Sequence, residues 1–250
     1  MIRTIKILKH QGKQYIKDLQ KVCLTELHHG KPEIKAQACI ENCNECVQLC
    51  PTEAITLQPL TLNLGSCVFC RECAACPEDI IRFSNDYKIA SNNLDLLKIN
   101  SSTGSIKFNS ELIRNEIHQL FGGSLKLRLV SDGSCNGCEL ELNAADNVNF
   151  DMSRYGIEFV ASPRHADGLV VTGALVENSL HALELTYEAI PSPKIIIAVG
   201  ACALSGGIFK ESDALNRSFF EKHPPDLYIP GCPPHPLTII NGLLQLLGKI

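Results

Sequence analysis

The stretch "SLKLRLVSDGSCNGCELEL" (residues 124–142) decides the fold of the second half of the chain. It opens with a run of apolar residues that predicts a buried strand, and it ends in residues typical of a helix. Between the two lie Cys135 and Cys138 in a C-x-x-C arrangement. Alone, this pair fits a disulfide, half of a zinc site, a redox dithiol or ligands to a larger cofactor. The rest of the sequence must therefore decide its role.

The residues that follow repeat the same alternation of strand and helix. Helical patterns occupy residues 178–190 and 236–250. The further apolar runs that predict buried parallel strands are "DGLVVTG" (167–173), "KIIIAVG" (194–200) and "DLYIPG" (226–231). This order predicts an α/β flavodoxin-like domain with a mostly parallel sheet over residues 124–250.

The cysteines of this domain follow the predicted strands. Cys135 and Cys138 come after the first strand, Cys202 lies two residues beyond the third, and Cys232 directly follows the fourth. Because the carboxyl ends of parallel strands share one edge of an open sheet, the four cysteines are expected to meet there. Four thiolates suit zinc or a 4Fe-4S cluster, and this geometry alone does not choose between them.

The first half of the chain is rich in cysteine, with eight of the thirteen cysteines inside residues 39–76. Two runs, "CIENCNECVQLCPTEAITLQ" (39–58) and "CVFCRECAACPEDIIRFS" (67–84), each hold four cysteines, end them in Cys-Pro and continue into a β-prone segment. Two-cluster ferredoxins use such runs, and the fourth cysteine of each run serves the other cluster. Zinc ribbons use two separate C-x2-C pairs and fit less well. The sequence therefore predicts an α+β ferredoxin-like domain over residues 31–90 with two 4Fe-4S clusters.

The spacing assigns ligands to each of these clusters. The regular set is Cys50, Cys67, Cys70 and Cys73. The other set departs from the usual spacing twice, with one residue too many after its first member and one too few before its last: Cys39, Cys43, Cys46 and Cys76. We therefore expect the second set to hold the less stable cluster. Two clusters in one chain favour a third cluster over zinc at the sheet edge, because a third cluster continues an electron path.

The remaining segments give weaker signals. Residues 1–30 are predicted to be a basic helical segment, and residues 91–123 a linker with a short helix. The basic residues recur at helical spacing: Arg3, Lys6, His10, Lys13, Lys17 and Lys21. The apolar stripe is Ile16, Leu19, Cys23 and Leu27, which predicts a buried Cys23. The segment is interpreted as an ordinary helix with a solvated basic face, and a docking surface for an acidic partner or lipid head groups is the alternative.

Composition excludes several classes of function. The net charge of −4, the absence of Trp and the 6% of aromatic residues argue against nucleic-acid binding. The chain has neither a P-loop nor a G-x-G-x-x-G motif, so nucleotide binding is unsupported. We see no secretory signal and no apolar run long enough to cross a bilayer, which predicts a cytoplasmic protein. Thirteen cysteines in a reducing compartment favour metal ligation or redox chemistry over disulfides.

Four motifs carry a resemblance to a known family. They are "DGSCNGCELEL" (132–142), "SPRHADGLVVTG" (162–173), "VGACALSGG" (199–207) and "PGCPPHP" (230–236). In order and spacing they resemble the small subunit of group 4 energy-converting nickel–iron hydrogenases, including formate hydrogenlyase, which is related to the 20 kDa subunit of respiratory complex I. Residues 30–90 are similar to the ferredoxin-like subunit of the same complexes, including its Gly30-Lys31-Pro32 lead-in. The chain looks like the two subunits fused.

The resemblance implies a 4Fe-4S cluster close to the active site of a large partner subunit. Its ligands would be Cys135, Cys138, Cys202 and Cys232. The complex I subunit has two adjacent cysteines at the first position, whereas here Asn136 and Gly137 separate them, as in the hydrogenases. Related hydrogenases relay protons through a nearby glutamate, but Glu139 equally fits an acid that complements a helix dipole, and we favour this structural role. No role is readable for His165.

The expected function is electron transfer through three 4Fe-4S clusters, to or from the large subunit of a membrane-associated hydrogenase-type complex. The chain would lie peripherally on the cytoplasmic face of the inner membrane, with the large subunit, the membrane subunits and an electron donor or acceptor as partners. It would not hold nickel, since no further cysteine pairs remain. The alternatives are a complex I-like quinone oxidoreductase subunit, a stand-alone ferredoxin-like carrier, and a zinc-stabilised interaction module.

Overall fold

The computed structural model describes residues 2–36, 43–76, 78–109, 115–121 and 123–250. The N-terminal helix α1 (Ile2–Gln11) is shorter than the sequence predicts. It ends before Gly12, which has a φ of +64°. Beyond it the chain is not helical, because the Ile16 amide donates to the Asn149 carbonyl at 2.8 Å and ties the segment to the second half. The predicted apolar stripe therefore does not form, and Cys23 is exposed rather than buried.

The cysteine-rich half forms two small antiparallel sheets. The elements are β1 (Pro32–Ile34), α2 (Glu45–Gln48), β2 (Ile55–Leu57), β3 (Leu60–Asn63), β4 (Ile81–Phe83) and β5 (Lys98–Ile99). Strand β1 pairs with β4, and β3 lies between β2 and β5. As the repeat predicts, each cysteine run leads into a strand, and each strand opens with a buried isoleucine, Ile55 or Ile81. The side chain thus anchors the end of each run in the core.

Residues 91–109 pack against both halves of the chain. The amides and carbonyls of Ser91 and Tyr228 exchange two hydrogen bonds, of 3.0 and 2.8 Å. The buried side chain of Asn92 donates to the Asn109 carbonyl and accepts from its amide, both at 2.7 Å. The polar residues that suggest a linker in the sequence therefore form hydrogen bonds that hold this loop in place. The short helix that the sequence predicts after it is α3 (Asn115–Phe121).

The second half forms the predicted parallel sheet, with one strand more than the sequence suggests. In chain order its strands are β6 (Leu125–Ser131), β7 (Ile157–Phe159), β8 (Gly168–Thr172), β9 (Ile195–Val199) and β10 (Leu227–Ile229). The spatial order is β10-β9-β8-β6-β7, and all pairs are parallel. Counted from β6, this is the 2-1-3-4-5 order of flavodoxin-like folds, and its switch point lies beside β6.

Helices and the cysteine-rich half cover the sheet. The helices are α4 (Gly137–Ala145), α5 (Glu177–Ala189), α6 (Gly200–Ser205), α7 (Ser218–Lys222) and α8 (Pro236–Leu246). Leu64 and Leu97 of the first half share a buried apolar cluster with Leu169 and Leu204 of the second. Because the two halves share a core, the cysteine runs keep a defined position relative to the sheet. No helix in the described ranges has both the length and the apolar character of a membrane span.

Candidate functional site

The carboxyl edge of the parallel sheet brings four cysteines together. Cys135 and Cys138 follow β6, and Cys138 lies in the first turn of α4. Cys202 lies in α6, directly after β9, and Cys232 follows β10. Burial raises the pKa of the Cys138 thiol above its usual range, and the charges of Glu139 and of the three other thiols raise it further. The four sulfur atoms therefore lie close enough for their charges to interact. This agrees with the expectation that residues after the ends of parallel strands meet at one edge of the sheet.

Glycine lets the backbone approach these thiols closely. Gly200, at the start of α6, has a φ of +88°, and a Cβ atom added to it would lie 2.4 Å from the Cys138 sulfur. A Cβ atom on Gly207 would lie 3.2 Å from the Cys202 sulfur. An L residue at position 200 would meet both backbone strain and a steric overlap. The sequence motif "VGAC" contains this glycine, but its closeness to Cys138 appears only in the fold.

Arg217 supports the helix that carries Cys202. Its guanidinium group donates to the carbonyls of Cys202, Ala203 and Leu204 at 3.3, 2.8 and 3.0 Å. These carbonyls belong to the last turn of α6, where a cation complements the helix dipole. Burial lowers the pKa of Arg217 from its usual value. No sequence motif points to Arg217, because its contacts with carbonyls 13 to 15 positions earlier arise only in the fold.

The acidic residues near the edge are partly or fully buried. Glu139 lies in the first turn of α4, and its carboxylate accepts a hydrogen bond of 2.5 Å from the Thr172 hydroxyl at the end of β8. Asp132 is fully buried, and this burial raises its pKa to about 6. His165 lies just before β8, at the amino edge of the sheet. One strand length, roughly 16 Å, separates it from the cysteine edge.

Four cysteines of the first half line one cavity, and they are the regular set, Cys50, Cys67, Cys70 and Cys73. Backbone amides point at two of their sulfur atoms: Phe69 donates to Cys67 at 3.3 Å, and Ala54 donates to Cys50 at 3.2 Å. Burial raises the pKa values of Cys67 and Cys73 to about 12. As free thiols, Cys67 and Cys73 would stay protonated, which disfavours a reactive dithiol made of these two residues.

A second cavity in the first half is lined by Cys43, Cys46, Cys73 and Cys76. Three of these belong to the irregular set, and the fourth, Cys73, lines both cavities. Cys39, the remaining member of the irregular set, lies outside the described residues. The described part of this set is thus assembled around one space beside the regular set.

The regular set of cysteines has neighbours in each of the other two groups. Burial raises the pKa of Cys232, and the charges of Cys202, Cys135 and then Cys70 raise it further. Cys46 is among the charges that raise the pKa of Cys73. The regular set therefore lies next to the described part of the irregular set and next to the cysteines of the sheet edge.

The donor chemistry narrows the choice of cofactor. All twelve cysteines in the described ranges are free thiols, so Cys135 and Cys138 do not form a disulfide. In the same ranges, no three His, Cys, Asp or Glu side chains are arranged to hold a single metal ion. Each group is composed of thiols, and iron–sulfur clusters take one thiolate on each iron. The residues present fit that cofactor.

A flavodoxin-like domain with four cysteines at its carboxyl edge, preceded in the sequence by a cysteine-rich half with eight more, defines the class of protein. A family model described as the 20 kDa subunit of NADH ubiquinone oxidoreductase matches residues 135–246. A probable membrane-bound hydrogenase subunit, mbhJ, of Pyrococcus furiosus is 46% identical over 121 residues, which are 48% of this chain and 72% of that protein. The chain belongs to this family of oxidoreductase subunits.

Other relatives come from both branches of the family. An NADH-quinone oxidoreductase subunit from Citrifermentans bemidjiense is 42% identical over 45% of this chain and 66% of its own length. Formate hydrogenlyase subunit 7 of Escherichia coli is 43% identical over 48% of each chain. The chain thus spans about half the length of this last relative. Hydrogenase and complex I-type subunits are both similar to it at comparable identity.

Proposed function

We propose that the chain is an electron-transfer subunit with three 4Fe-4S clusters, working with the large subunit of a membrane-associated hydrogenase-type complex. The observation that carries the proposal is that the cysteines of the described residues, apart from Cys23, fall into three adjoining groups. The ligand sets are Cys39, Cys43, Cys46 and Cys76; Cys50, Cys67, Cys70 and Cys73; and Cys135, Cys138, Cys202 and Cys232.

The domain organisation follows from these sets. Residues 31–90 form a ferredoxin-like domain with two clusters, and residues 124–250 form the flavodoxin-like domain with the third. Residues 1–30 and 91–123 connect and flank them. The chain is then a fusion of two subunits, and the shared apolar core supports this by holding the domains in one arrangement. A fusion fixes the separation between redox sites, which two separate subunits must achieve by docking.

Clusters bound at these sites would supply one-electron redox chemistry. The protein contributes the order of the sites and their environment. Cys73 lines both cavities of the first half, and the charge of Cys70 acts on Cys232, so we infer that the regular set holds the middle cluster. The amides of Phe69 and Ala54 hydrogen-bond to ligand sulfur atoms, and such bonds raise reduction potentials. The apolar surroundings exclude water from Cys67 and Cys73.

Electrons would pass to or from the large subunit at the carboxyl edge of the sheet. Cys135 and Cys232 are exposed there, and apolar Leu140 and Ile208 are also exposed, on α4 and beside α6. An exposed apolar rim around a redox site is suited to a protein partner. The complex would hold the chain on the cytoplasmic face of the inner membrane.

The second candidate function is that of a complex I-like quinone oxidoreductase subunit, which the similarity to an NADH-quinone oxidoreductase subunit favours. The spacing of Cys135 and Cys138, separated by Asn136 and Gly137, favours the hydrogenase branch. Purification with the native large subunit decides between them. Two C-x-x-C motifs in that subunit, together with bound nickel, support the hydrogenase function, and their absence supports the alternative.

The proposed order of the sites is tested by Cys70→Ala in anaerobically purified, fully reduced protein. In the unaltered chain, the EPR signal of the third cluster should be broadened by magnetic interaction with the middle cluster. Cys70→Ala should remove the middle cluster, and the third signal should narrow while keeping its intensity. Cys23→Ala, which alters the one cysteine outside the ligand sets, is the control and should leave the spectrum unchanged. An unchanged third signal in Cys70→Ala would contradict the order.

A further inference from the structure

Helix α1 is exposed on all sides. None of its ten residues is buried, and three apolar side chains are prominently exposed: Ile5 by 58%, Ile7 by 49% and Leu8 by 61%. An isolated helix of this length is marginal in water, because the cost of nucleation exceeds the gain from a few hydrogen bonds. A surface that covers these apolar side chains would therefore stabilise the helix.

The residues of α1 are sorted by polarity. Successive residues of a helix advance by about 100°, which places Ile5, Ile7 and Leu8 on one half of its surface. The opposite half carries Arg3, Lys6, Lys9 and His10. Residues 1–17 contain five Lys and Arg residues and no Asp or Glu. A fourth exposed apolar residue, Ile2, is 74% exposed and lies among the basic residues. The helix thus has one apolar half and one half whose charged residues are all basic.

The segment after the helix is fixed to the flavodoxin-like domain. The Arg154 guanidinium group donates to the Ile16 carbonyl at 2.7 Å and lies 5.2 Å from the ring centre of Tyr15. Leu19 is buried, and the Tyr87 hydroxyl donates to its carbonyl. The protein body therefore anchors residues 15–19. The exposed helix α1 precedes them, and its last turn, with Leu8 and Gln11, borders a cavity that residues 146–148 and 151 also line.

We propose that α1 is a lipid-binding element that lies in the head-group region of an anionic membrane. A bilayer interface offers an apolar layer and a layer of phosphates at one boundary, so both faces of α1 would be satisfied together. The lysine stems can lie along the apolar boundary while their ammonium groups reach the phosphates. A protein groove would cover the apolar face but gives no reason for a basic face without a single acid.

This assignment gives the chain its own contact with the membrane, in addition to contacts made through partner subunits. Such a contact would orient the N-terminal helix toward the bilayer. It does not depend on the clusters, so its failure would leave the proposed electron-transfer function standing.

Vesicle binding by the full-length chain tests the proposal. We expect binding to phosphatidylcholine vesicles that contain phosphatidylglycerol, little binding to pure phosphatidylcholine vesicles, and loss of binding at high salt. Lys6→Gln and Lys9→Gln should each weaken binding about fivefold, because one charge near an anionic surface is lost. Leu8→Glu should weaken it about tenfold or more, because the apolar anchor is lost.

Two controls alter similar residues elsewhere on the surface. Leu185→Glu changes an exposed leucine of α5, and Lys107→Gln changes an exposed lysine. Both variants should bind vesicles like the unaltered chain. The proposal is overturned if the chain does not bind anionic vesicles, or if Leu8→Glu binds them as well as the control variants. Capture of the chain by detergent-solubilised membrane subunits that is lost in Leu8→Glu, without vesicle binding, would assign α1 to a protein partner and also overturn it.

Discussion

Replacing Cys232 with alanine is expected to erase the same EPR signal as replacing Cys138, although 94 positions separate the two residues in the sequence. Both side chains follow strands of the parallel sheet and meet at its carboxyl edge. A cubane uses one thiolate on each iron, so the loss of either ligand exposes an iron to water and to loss. The signals of the two ferredoxin-type clusters should survive, and bound iron should fall by about four atoms per chain.

This experiment also separates a cluster from a redox dithiol. A dithiol of Cys135 and Cys138 would cycle between thiols and a disulfide without Cys202 or Cys232. Cys23→Ala is again the matched control, since Cys23 is exposed and lies outside the three groups. If Cys232→Ala retains the third signal at full intensity, the four cysteines do not share a cluster, and the assignment of the sheet edge fails.

Gly200→Ala is expected to be nearly as damaging as the loss of a ligand. The new Cβ atom would lie 2.4 Å from the Cys138 sulfur, at a backbone φ of +88°. The backbone strain alone costs roughly 1–2 kcal/mol for an L residue. Relief of the overlap must move Cys138 or the start of α6, which also carries Cys202. Iron content and the third EPR signal should both fall sharply, and the melting temperature should decrease.

Gly12→Ala is the control for Gly200→Ala, because it introduces backbone strain without a steric overlap. Gly12 also has a positive φ, of +64°, but no atom lies within 4 Å of a Cβ atom built there. Gly12→Ala should therefore lose some stability and keep all three clusters. If Gly200→Ala also keeps its full iron content and the third signal, Cys138 does not bind the cofactor in the position described.

The strands that the sequence predicts best are those buried on both faces. Every residue of β8 and β9 is buried, so these strands read as continuous apolar runs between glycine or charged residues. Their predicted bounds differ from the observed ones by one residue. Strand β7 (Ile157–Phe159) has three residues at the edge of the sheet, with Glu158 exposed, and such a segment carries too little periodicity to recognise.

The N-terminal segment misled the sequence analysis for a physical reason. Lysines continue at helical spacing beyond Gly12. However, the Ile16 amide donates to Asn149 of the second half, and the Leu19 carbonyl accepts from the Tyr87 hydroxyl, in place of contacts between neighbouring helical turns. Tertiary contacts override the local pattern there. Leu27, which the sequence predicts to lie on the apolar stripe, is 87% exposed, since the helix that would carry this stripe ends at Gln11.

The candidate ligands could be predicted from the cysteine spacing, whereas the residues that position those ligands could not. Cysteine spacing and strand ends locate the ligands, because both are local features of the sequence. Arg217 and Gly200 act across the fold, one on the carbonyls of α6 and the other against Cys138. A single sequence does not show such contacts, since Arg217 lies 13 to 15 positions from its partners and Gly200 lies 62 positions from Cys138.

The central claim is that one chain carries three clusters, and the most direct measurement is its iron, acid-labile sulfide and zinc content after anaerobic purification. Three groups of four cysteines predict about twelve iron atoms and about twelve sulfides per chain, with no stoichiometric zinc. Four iron atoms or fewer per chain, or one zinc ion for each group of four cysteines, would contradict the account.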